Sequence, residues 1–373
     1  MKLLIVANYA KEHINKFHVP TIKKFKDNGW TVDVACNADA KIEFCDNVYD
    51  LPLKRNPFRL QSLIAIRKLK KIIKLNKYDV VHLHTLTGRI VGTLSAKKFK
   101  KKGLKTVVTY HGLNYYDGSS KKSKILIPLD RYLSKFVDFA FSDNQEDIVY
   151  GKKMGLKMDD CMFCPIAINT QRILPIEEHK QKRSNTRESL GVSDDEILLT
   201  YVAELHKNKN QTLLLEVLQE LIKRNKNVKL MLVGPENDGG FIKNKVKQMG
   251  LTDEVILTGW RNDIGDLLCA SDIYVASSIR EGLGINLIEA MLAEIPVVAT
   301  NNRGHREVVA DEKNGYLVPL GDARAFANRI EELINNKNKV DEFIKEGIAV
   351  YNNKFSIKTE EVIFKKYQEY LEI

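Results

Sequence analysis

Short apolar runs alternate with amphipathic stretches along almost the whole of this 373-residue chain, and the alternation occurs twice. In the first half the strand-like runs are Leu3–Ala7, Thr31–Ala35, Val80–Leu83, Thr106–Tyr110 and Phe139–Ser142. Helical stretches such as Val19–Asn28 and Leu60–Lys74 lie between them. Runs that are apolar throughout suit strands buried on both faces. Strands of that kind alternating with helices predict an α/β fold built on doubly wound parallel sheet. A second set follows with Ile197–Ala203, Asn210–Arg224, Val228–Val233, Phe241–Met249 and Val255–Thr258. The length exceeds what one hydrophobic core usually fills, so two domains are expected. Between the sets, the charged segment Ile176 to Arg187 reads as the interdomain connection.

The sharpest local pattern closes the second set. Ser277-Ser278-Ile279-Arg280-Glu281-Gly282-Leu283-Gly284-Ile285-Asn286-Leu287-Ile288-Glu289-Ala290 holds two glutamates separated by seven residues. Asp272–Ala276 before it reads as a buried strand, Ile285–Ala293 as a helix and Pro296–Ala299 as the next strand. The glycines therefore fall in a strand-to-helix turn, where backbone N–H groups and the helix dipole favour an anion. Glu281 stands in that turn, and Glu289 about one turn into the helix. A carboxylate there would repel an anion unless it addressed another part of the same ligand. Sugar and ribose hydroxyls, which donate to carboxylates, meet that condition.

With Asn314-Gly315-Tyr316-Leu317-Val318 following, this segment resembles the paired-glutamate motif of retaining nucleotide-sugar glycosyltransferases of family 4. Asn301-Asn302-Arg303-Gly304-His305-Arg306-Glu307 resembles bacterial enzymes that build capsule, exopolysaccharide or O-antigen repeat units. The resemblance implies the GT-B fold, two Rossmann-like domains facing a central cleft. Residues 1–170 would form the acceptor and membrane domain and 171–355 the nucleotide-sugar domain, with a last helix in 356–373 packing back on the first. It also implies a UDP-sugar donor, a polyprenyl-diphosphate-linked saccharide acceptor and a retaining hexosyl or N-acetylhexosaminyl transfer.

Several positions carry over residue by residue. Lys209, after the strand Leu198–Ala203, matches a lysine that grips the donor diphosphate; a flexible ammonium suits a phosphate. The arginine expected five residues earlier is replaced by Glu204, so Lys207 or the amides of Gly282, Leu283 and Gly284 are expected to compensate. Glu281 would bind donor-sugar hydroxyls and Glu289 the ribose. Gly234 with Pro235, and the turn Gly259-Trp260-Arg261-Asn262-Asp263, would frame the base. His111, at the end of Val108-Thr109-Tyr110-His111-Gly112, would contact the donor sugar, making His111, Glu281 and Lys209 the catalytic set.

Other features point away from cofactors. His82 and His84 are expected on opposite faces of their strand, His82 packed and His84 towards the acceptor, with no metal site among the histidines. Cys161-Met162-Phe163-Cys164 lacks a second pair and reads as accidental. No Asp-x-Asp holds a divalent cation, so Lys209 and backbone amides are expected to stabilise the leaving diphosphate without metal.

The formal net charge is +11, and between Lys54 and Lys124 nineteen Lys/Arg face only Asp79 and Asp117. Leu60–Lys74 is expected as a sheet-covering helix with a charged outer face. Lys97–Lys102 and Lys121-Lys122-Ser123-Lys124-Ile125-Leu126-Ile127-Pro128 add further basic patches, the last with interfacial composition. No nucleic-acid-binding motif accompanies the charge, so an anionic membrane is the expected partner rather than nucleic acid. There is no apolar run of membrane-spanning length, no signal peptide is expected because Lys2–Ala7 reads directly as a strand, and the five cysteines lack disulfide spacing. The expected location is cytoplasmic, on the inner face of the plasma membrane. Another GT-B enzyme, such as a UDP-sugar epimerase or a phosphorylase, and a non-catalytic basic binding protein remain the rival readings.

Overall fold

The computed structural model describes residues 1–116, 121–237 and 239–372, and of Lys121 and Lys122 the backbone alone. Asp117 therefore lies outside the described residues, as do the side chains of Lys121 and Lys122. The chain divides into two compact units, Met1–Ala167 with Ile357–Ile373, and Ile168–Ser356.

Unit 1 is a seven-stranded sheet of β1 (Lys2–Tyr9), β2 (Thr31–Asn37), β3 (Asn47–Asp50), β4 (Val80–Leu83), β5 (Lys105–Tyr110), β6 (Phe139–Ser142) and β7 (Cys161–Phe163). Their order is β3-β2-β1-β4-β5-β6-β7, with every pairing parallel. Parallel strands need crossover connections, and the helices that supply them cover both faces. Leu4, Val6, Val81 and Leu83 pack into the cluster on one face, Leu3, Ile5, Val80 and Val107 into that on the other. β3 is a mostly exposed edge strand and carries no apolar run, which is why the sequence did not announce it.

The helix Thr359–Leu371 belongs to this unit. Its Tyr367 packs edge-on against Phe25 and Phe139 at 4.9 and 5.3 Å, and Thr359 Oγ1 donates to the Pro165 carbonyl at 2.8 Å.

Unit 2 has six parallel strands, β8 (Ile197–Val202), β9 (Val228–Val233), β10 (Val255–Gly259), β11 (Ile273–Ala276), β12 (Val297–Thr300) and β13 (Tyr316–Val318). The order β10-β9-β8-β11-β12-β13 reverses direction between β8 and β11. Such a switch point opens a crevice at the carboxyl ends of the two strands, where ligands of open α/β sheets bind.

The charged segment read as a connection is instead the helix Ile176–Leu190, an integral part of unit 2. Arg187 is 2% exposed, and its guanidinium donates to the carbonyls of Ala270, Ser193 and Glu196 and to Asp272. Arg183 donates to the same Asp272 at 2.6 Å. A charged composition concealed a helix held by buried guanidinium bonds rather than by an apolar stripe.

Candidate active site

Two loops meet at the switch point of unit 2. The loop after β8 presents Lys209, and the loop after β11 presents Glu281. Lys209 Nζ lies 2.5 Å from Glu281 Oε1, both side chains being largely buried. The loops are stitched together around this pair. The Ile279 amide donates to the Asn208 carbonyl at 2.8 Å, Asn208 Nδ2 to the Arg280 carbonyl at 2.9 Å, and Ser277 Oγ to the Lys209 carbonyl at 2.7 Å. Ser278 Oγ donates to the Glu281 carboxylate and lies 2.6 Å from the Tyr201 hydroxyl. The lysine and the glutamate assigned to the diphosphate and the sugar of one donor are thus each other's partners here.

A third segment, following β12, backs the turn. Thr300 Oγ1 and Asn302 Nδ2 both donate to the Ser278 carbonyl, at 2.6 and 2.9 Å. A Cβ on Gly304 would fall 2.5 Å from Glu281 Cβ and 2.7 Å from its carbonyl carbon, so only glycine lets the two backbones approach. His305 is buried, with Nδ1 2.7 Å from the Thr300 carbonyl and 2.9 Å from Asn302 Nδ2. Burial lowers its pKa to about 4. Ser278, Asn208, Thr300, Asn302 and Gly304 were not legible as site residues, because their roles are contacts between distant loops.

One expectation is corrected. The Gly284 amide donates to the Gly304 carbonyl at 3.2 Å, and the amides of Ile285 and Leu287 are bonded to the Leu283 and Gly284 carbonyls. The turn closes on itself, so a phosphate cannot use the Gly284 amide without displacing Gly304. The helix Ile285–Leu292 then carries Glu289 inward, 4% exposed. Glu289 Oε1 accepts from Arg172 Nη1 at 2.9 Å. Burial raises the Glu289 pKa, and Arg172 opposes that rise. Arg172, from the turn Thr170–Arg172, is a cation the sequence offered no reason to place here.

Gly234 has φ +150, and a Cβ there would meet the Ala203 carbonyl oxygen at 2.2 Å, so the loops after β8 and β9 touch through it. Glu204, in the position expected of an arginine, accepts from Asn237 Nδ2 at 2.7 Å. In the turn after β10, Trp260 is 66% exposed with Nε1 donating to Asn262 at 3.1 Å, and Arg261 Nε donates to Asp263 at 2.7 Å.

In unit 1, His111 follows β5. Its Nδ1 lies 2.7 Å from Asp143 Oδ2 and its Nε2 3.1 Å from His84 Nδ1. Both nitrogens are engaged, so a sugar contact by His111 would use the ring face and carbons. The expectation that His82 and His84 take opposite faces is wrong. Their rings lie 4.2 Å apart, since residues two apart on a strand share a face. Both are buried. All five cysteines are free, and burial pushes the Cys161 and Cys164 thiols up to about 12.

Residues 2–144 match the family model described as glycosyl transferase 4-like, and residues 182–350 the one described as glycosyl transferases group 1. A protein of Bacillus subtilis described as putative glycosyltransferase EpsD is 37% identical over 339 residues, spanning 90% of this chain and 88% of its own. The chain belongs to the family-4-like glycosyltransferases. An Escherichia coli enzyme described as UDP-Gal:alpha-D-GlcNAc-diphosphoundecaprenol alpha-1,3-galactosyltransferase is 26% identical over 295 residues, 76% of this chain and 74% of that one. Among solved structures, Anabaena HepE in complex with UDP and glucose superimposes with a TM-score of 0.80 at 21% identity, over 99% of this chain and 100% of that one. This likeness, with the two parallel sheets, gives the glycosyltransferase its GT-B fold.

Two outcomes follow from the geometry of this glycosyltransferase. Gly304→Ala should force the Glu281 backbone aside and lower kcat/KM by about a hundredfold, the scale of an ångström-level misplacement. Circular dichroism should report an intact fold, and wild-type kinetics would show that the position of Glu281 is immaterial. If a ligand needs Glu289 ionised, its binding should fail as pH falls through the raised pKa. Arg172→Gln removes the opposing charge, so the acid limb of donor binding should move to higher pH; an unmoved limb would remove Glu289 from the binding site.

Proposed function

We propose that this glycosyltransferase moves a hexose or N-acetylhexosamine from a UDP-sugar, with retention of anomeric configuration, to a saccharide carried on a polyprenyl diphosphate during synthesis of bacterial surface polysaccharide. The observation that carries this reading is the Lys209–Glu281 pair at the switch point of unit 2. An ammonium and a carboxylate, held side by side, suit the diphosphate and the sugar hydroxyls of one donor. The UDP and glucose bound to HepE support the donor class, and the diphosphoundecaprenol in the name of the E. coli relative supports the acceptor class.

In this proposal the donor diphosphate draws Lys209 from Glu281, and the freed carboxylate accepts the sugar hydroxyls. Glu289 holds the ribose beside Arg172, and Gly234, Trp260 and Arg261 border the base. The bond from the anomeric carbon to the diphosphate breaks, and the acceptor oxygen bonds to that carbon from the same face. The acceptor proton goes to the departing diphosphate. Lys209 supplies the charge a divalent cation would otherwise bring to the leaving group, so no added metal is needed.

The proposed place of work is the inner face of the plasma membrane, with unit 1 against the lipid. The outer face of the helix Leu60–Asn76 is not simply charged as expected. It exposes Leu60, Leu63 and Ile64 at 82, 57 and 49%, Phe58 before it is 68% exposed, and Arg59, Arg67 and Lys68 are interleaved with them. Apolar side chains set among cations are the composition of an interfacial helix. Among the described residues no helix is long and apolar enough to cross a membrane.

The reaction is tested with a panel of UDP-sugars and an undecaprenyl-diphosphate-linked monosaccharide, in buffer containing EDTA. We expect UDP release with one donor, and NMR of the product should show an α linkage from an α-linked donor. A β linkage would end the retaining assignment; turnover only with inorganic phosphate would favour a phosphorylase, and donor turnover without acceptor an epimerase. For the membrane, binding to vesicles containing anionic lipid should fall steeply with salt, since each basic residue near the surface contributes about 1 kcal/mol. Leu60→Glu with Leu63→Glu should release the protein and leave UDP binding intact. Equal affinity for neutral vesicles would remove the electrostatic part of this reading.

A further inference from the structure

The histidines of unit 1 gather where the sequence gives no metal-binding spacing. His13 lies on a five-residue π-helical turn, Ala10–Ile14, directly after β1. His18 immediately precedes the helix Val19–Asp27, His84 follows β4 and His111 follows β5. β1 and β4 are neighbours at the point where the order of this sheet reverses, so the four rings collect at the switch point of unit 1. One ring nitrogen from each lies within 4.8 Å of the others. His13 Nε2 and His18 Nε2 are 3.0 Å apart, and His84 Nδ1 and His111 Nε2 are 3.1 Å apart.

We propose that His13, His18, His84 and His111 form a binding site for a first-row divalent cation, zinc above all, that ties together the carboxyl-end turns of unit 1. Tetrahedral zinc with Zn–N bonds of about 2.0–2.1 Å requires ligand nitrogens roughly 3.3–3.4 Å apart. The two close pairs sit just inside that spacing and the widest separation, up to 4.8 Å, lies outside it, so the rings close around the ion by parting within each pair and drawing the pairs together. Four protein ligands leave no open position, which is the pattern of a structural rather than a catalytic zinc.

Two further observations agree with a cation. Asp143 holds His111 by Nδ1, which turns Nε2 towards the cluster; a carboxylate behind a ligating imidazole orients it and raises its basicity. The backbone at the cluster is strained. Thr85, next to His84, has φ +61, a left-handed conformation that a β-branched residue adopts only under constraint, and its hydroxyl donates to Asn8 at 2.7 Å. His82 stays outside the set, since its Nε2 is 2.8 Å from Thr109 Oγ1. A phosphate would fit this place poorly. Rings paired nitrogen to nitrogen share a single proton per contact, and the Asp143 carboxylate would oppose a second anion.

The test uses the full, untagged chain. Elemental analysis of protein dialysed against zinc should give about one ion per chain, and zinc should raise the melting temperature, as any ligand of the folded state does. Cobalt loaded in place of zinc should show the intense visible bands of a tetrahedral site. His13→Ala with His18→Ala should abolish both, while His13→Cys, which keeps a ligand, should retain them. Asp143→Asn should weaken zinc binding by about ten- to a hundredfold without loss of fold. A folded wild type that takes up neither metal, or cobalt bands that persist in the double variant, would overturn the proposal. Stabilisation by inorganic diphosphate with none by zinc would overturn it in favour of an anion site. None of these readouts depends on glycosyl transfer, so the site can fail while the proposed reaction stands, and the reverse.

Discussion

Neighbouring parallel strands cannot be joined by a tight turn, and most of this molecule follows from that restriction. Each connection must run back along the sheet as a crossover, so both faces are covered and the strands must be apolar throughout. The turns that leave the carboxyl ends of the strands all emerge at one edge. Where the strand order reverses, two of those turns diverge and leave a crevice. The chain builds such a point twice, between β1 and β4 and between β8 and β11, and at each it collects the polar groups that its cores exclude.

The two crevices are filled with different chemistry. In unit 2 the groups are charged and matched, Lys209 with Glu281 and Arg172 with Glu289. A buried charge without a partner is strongly destabilising, so each pair keeps the other's charge tolerable in a confined place. The same pairing makes the site responsive. A ligand with a diphosphate bonded directly to a hydroxyl-bearing sugar can exchange partners with Lys209 and Glu281 and leave no charge stranded. In unit 1 the groups are clustered imidazoles, with one carboxylate, Asp143, behind them. Charge exchange has little to act on there, whereas a Lewis acid finds four ring nitrogens already gathered, two of which give up a proton to bind it.

Glycine works at both loop crossings of unit 2 by subtraction. Gly304 and Gly234 each stand where a Cβ would meet another loop's backbone, at Glu281 and at Ala203. The positions of Glu281 and of the loop carrying Lys209 thus depend on atoms that are not there. The bonds from Thr300 and Asn302 to Ser278 then fix the turn from the side opposite Lys209.

The apolar periodicity of the sequence determined the two doubly wound sheets, and strands such as Val80–Leu83 and Phe139–Ser142 coincide with their apolar runs, because burial on both faces leaves a mark on every residue of a strand. The Glu-x7-Glu pattern likewise placed Glu281 in a turn and Glu289 on a helix, since spacing along a chain fixes local geometry. Contacts between segments far apart were decided by the tertiary structure alone. The edge strand Asn47–Asp50 has no buried face to pattern it, and the helix Ile176–Leu190 is held by guanidinium bonds to Asp272 and to backbone carbonyls that composition cannot reveal. Arg172 reaches Glu289 across 117 residues, the Gly284 amide is closed by Gly304, and four histidines from four separate segments converge on one point. Local sequence records what a residue must be to sit in a strand or a helix. Which residues the folded chain brings together depends on strand order, and neighbours along the chain carry no trace of that.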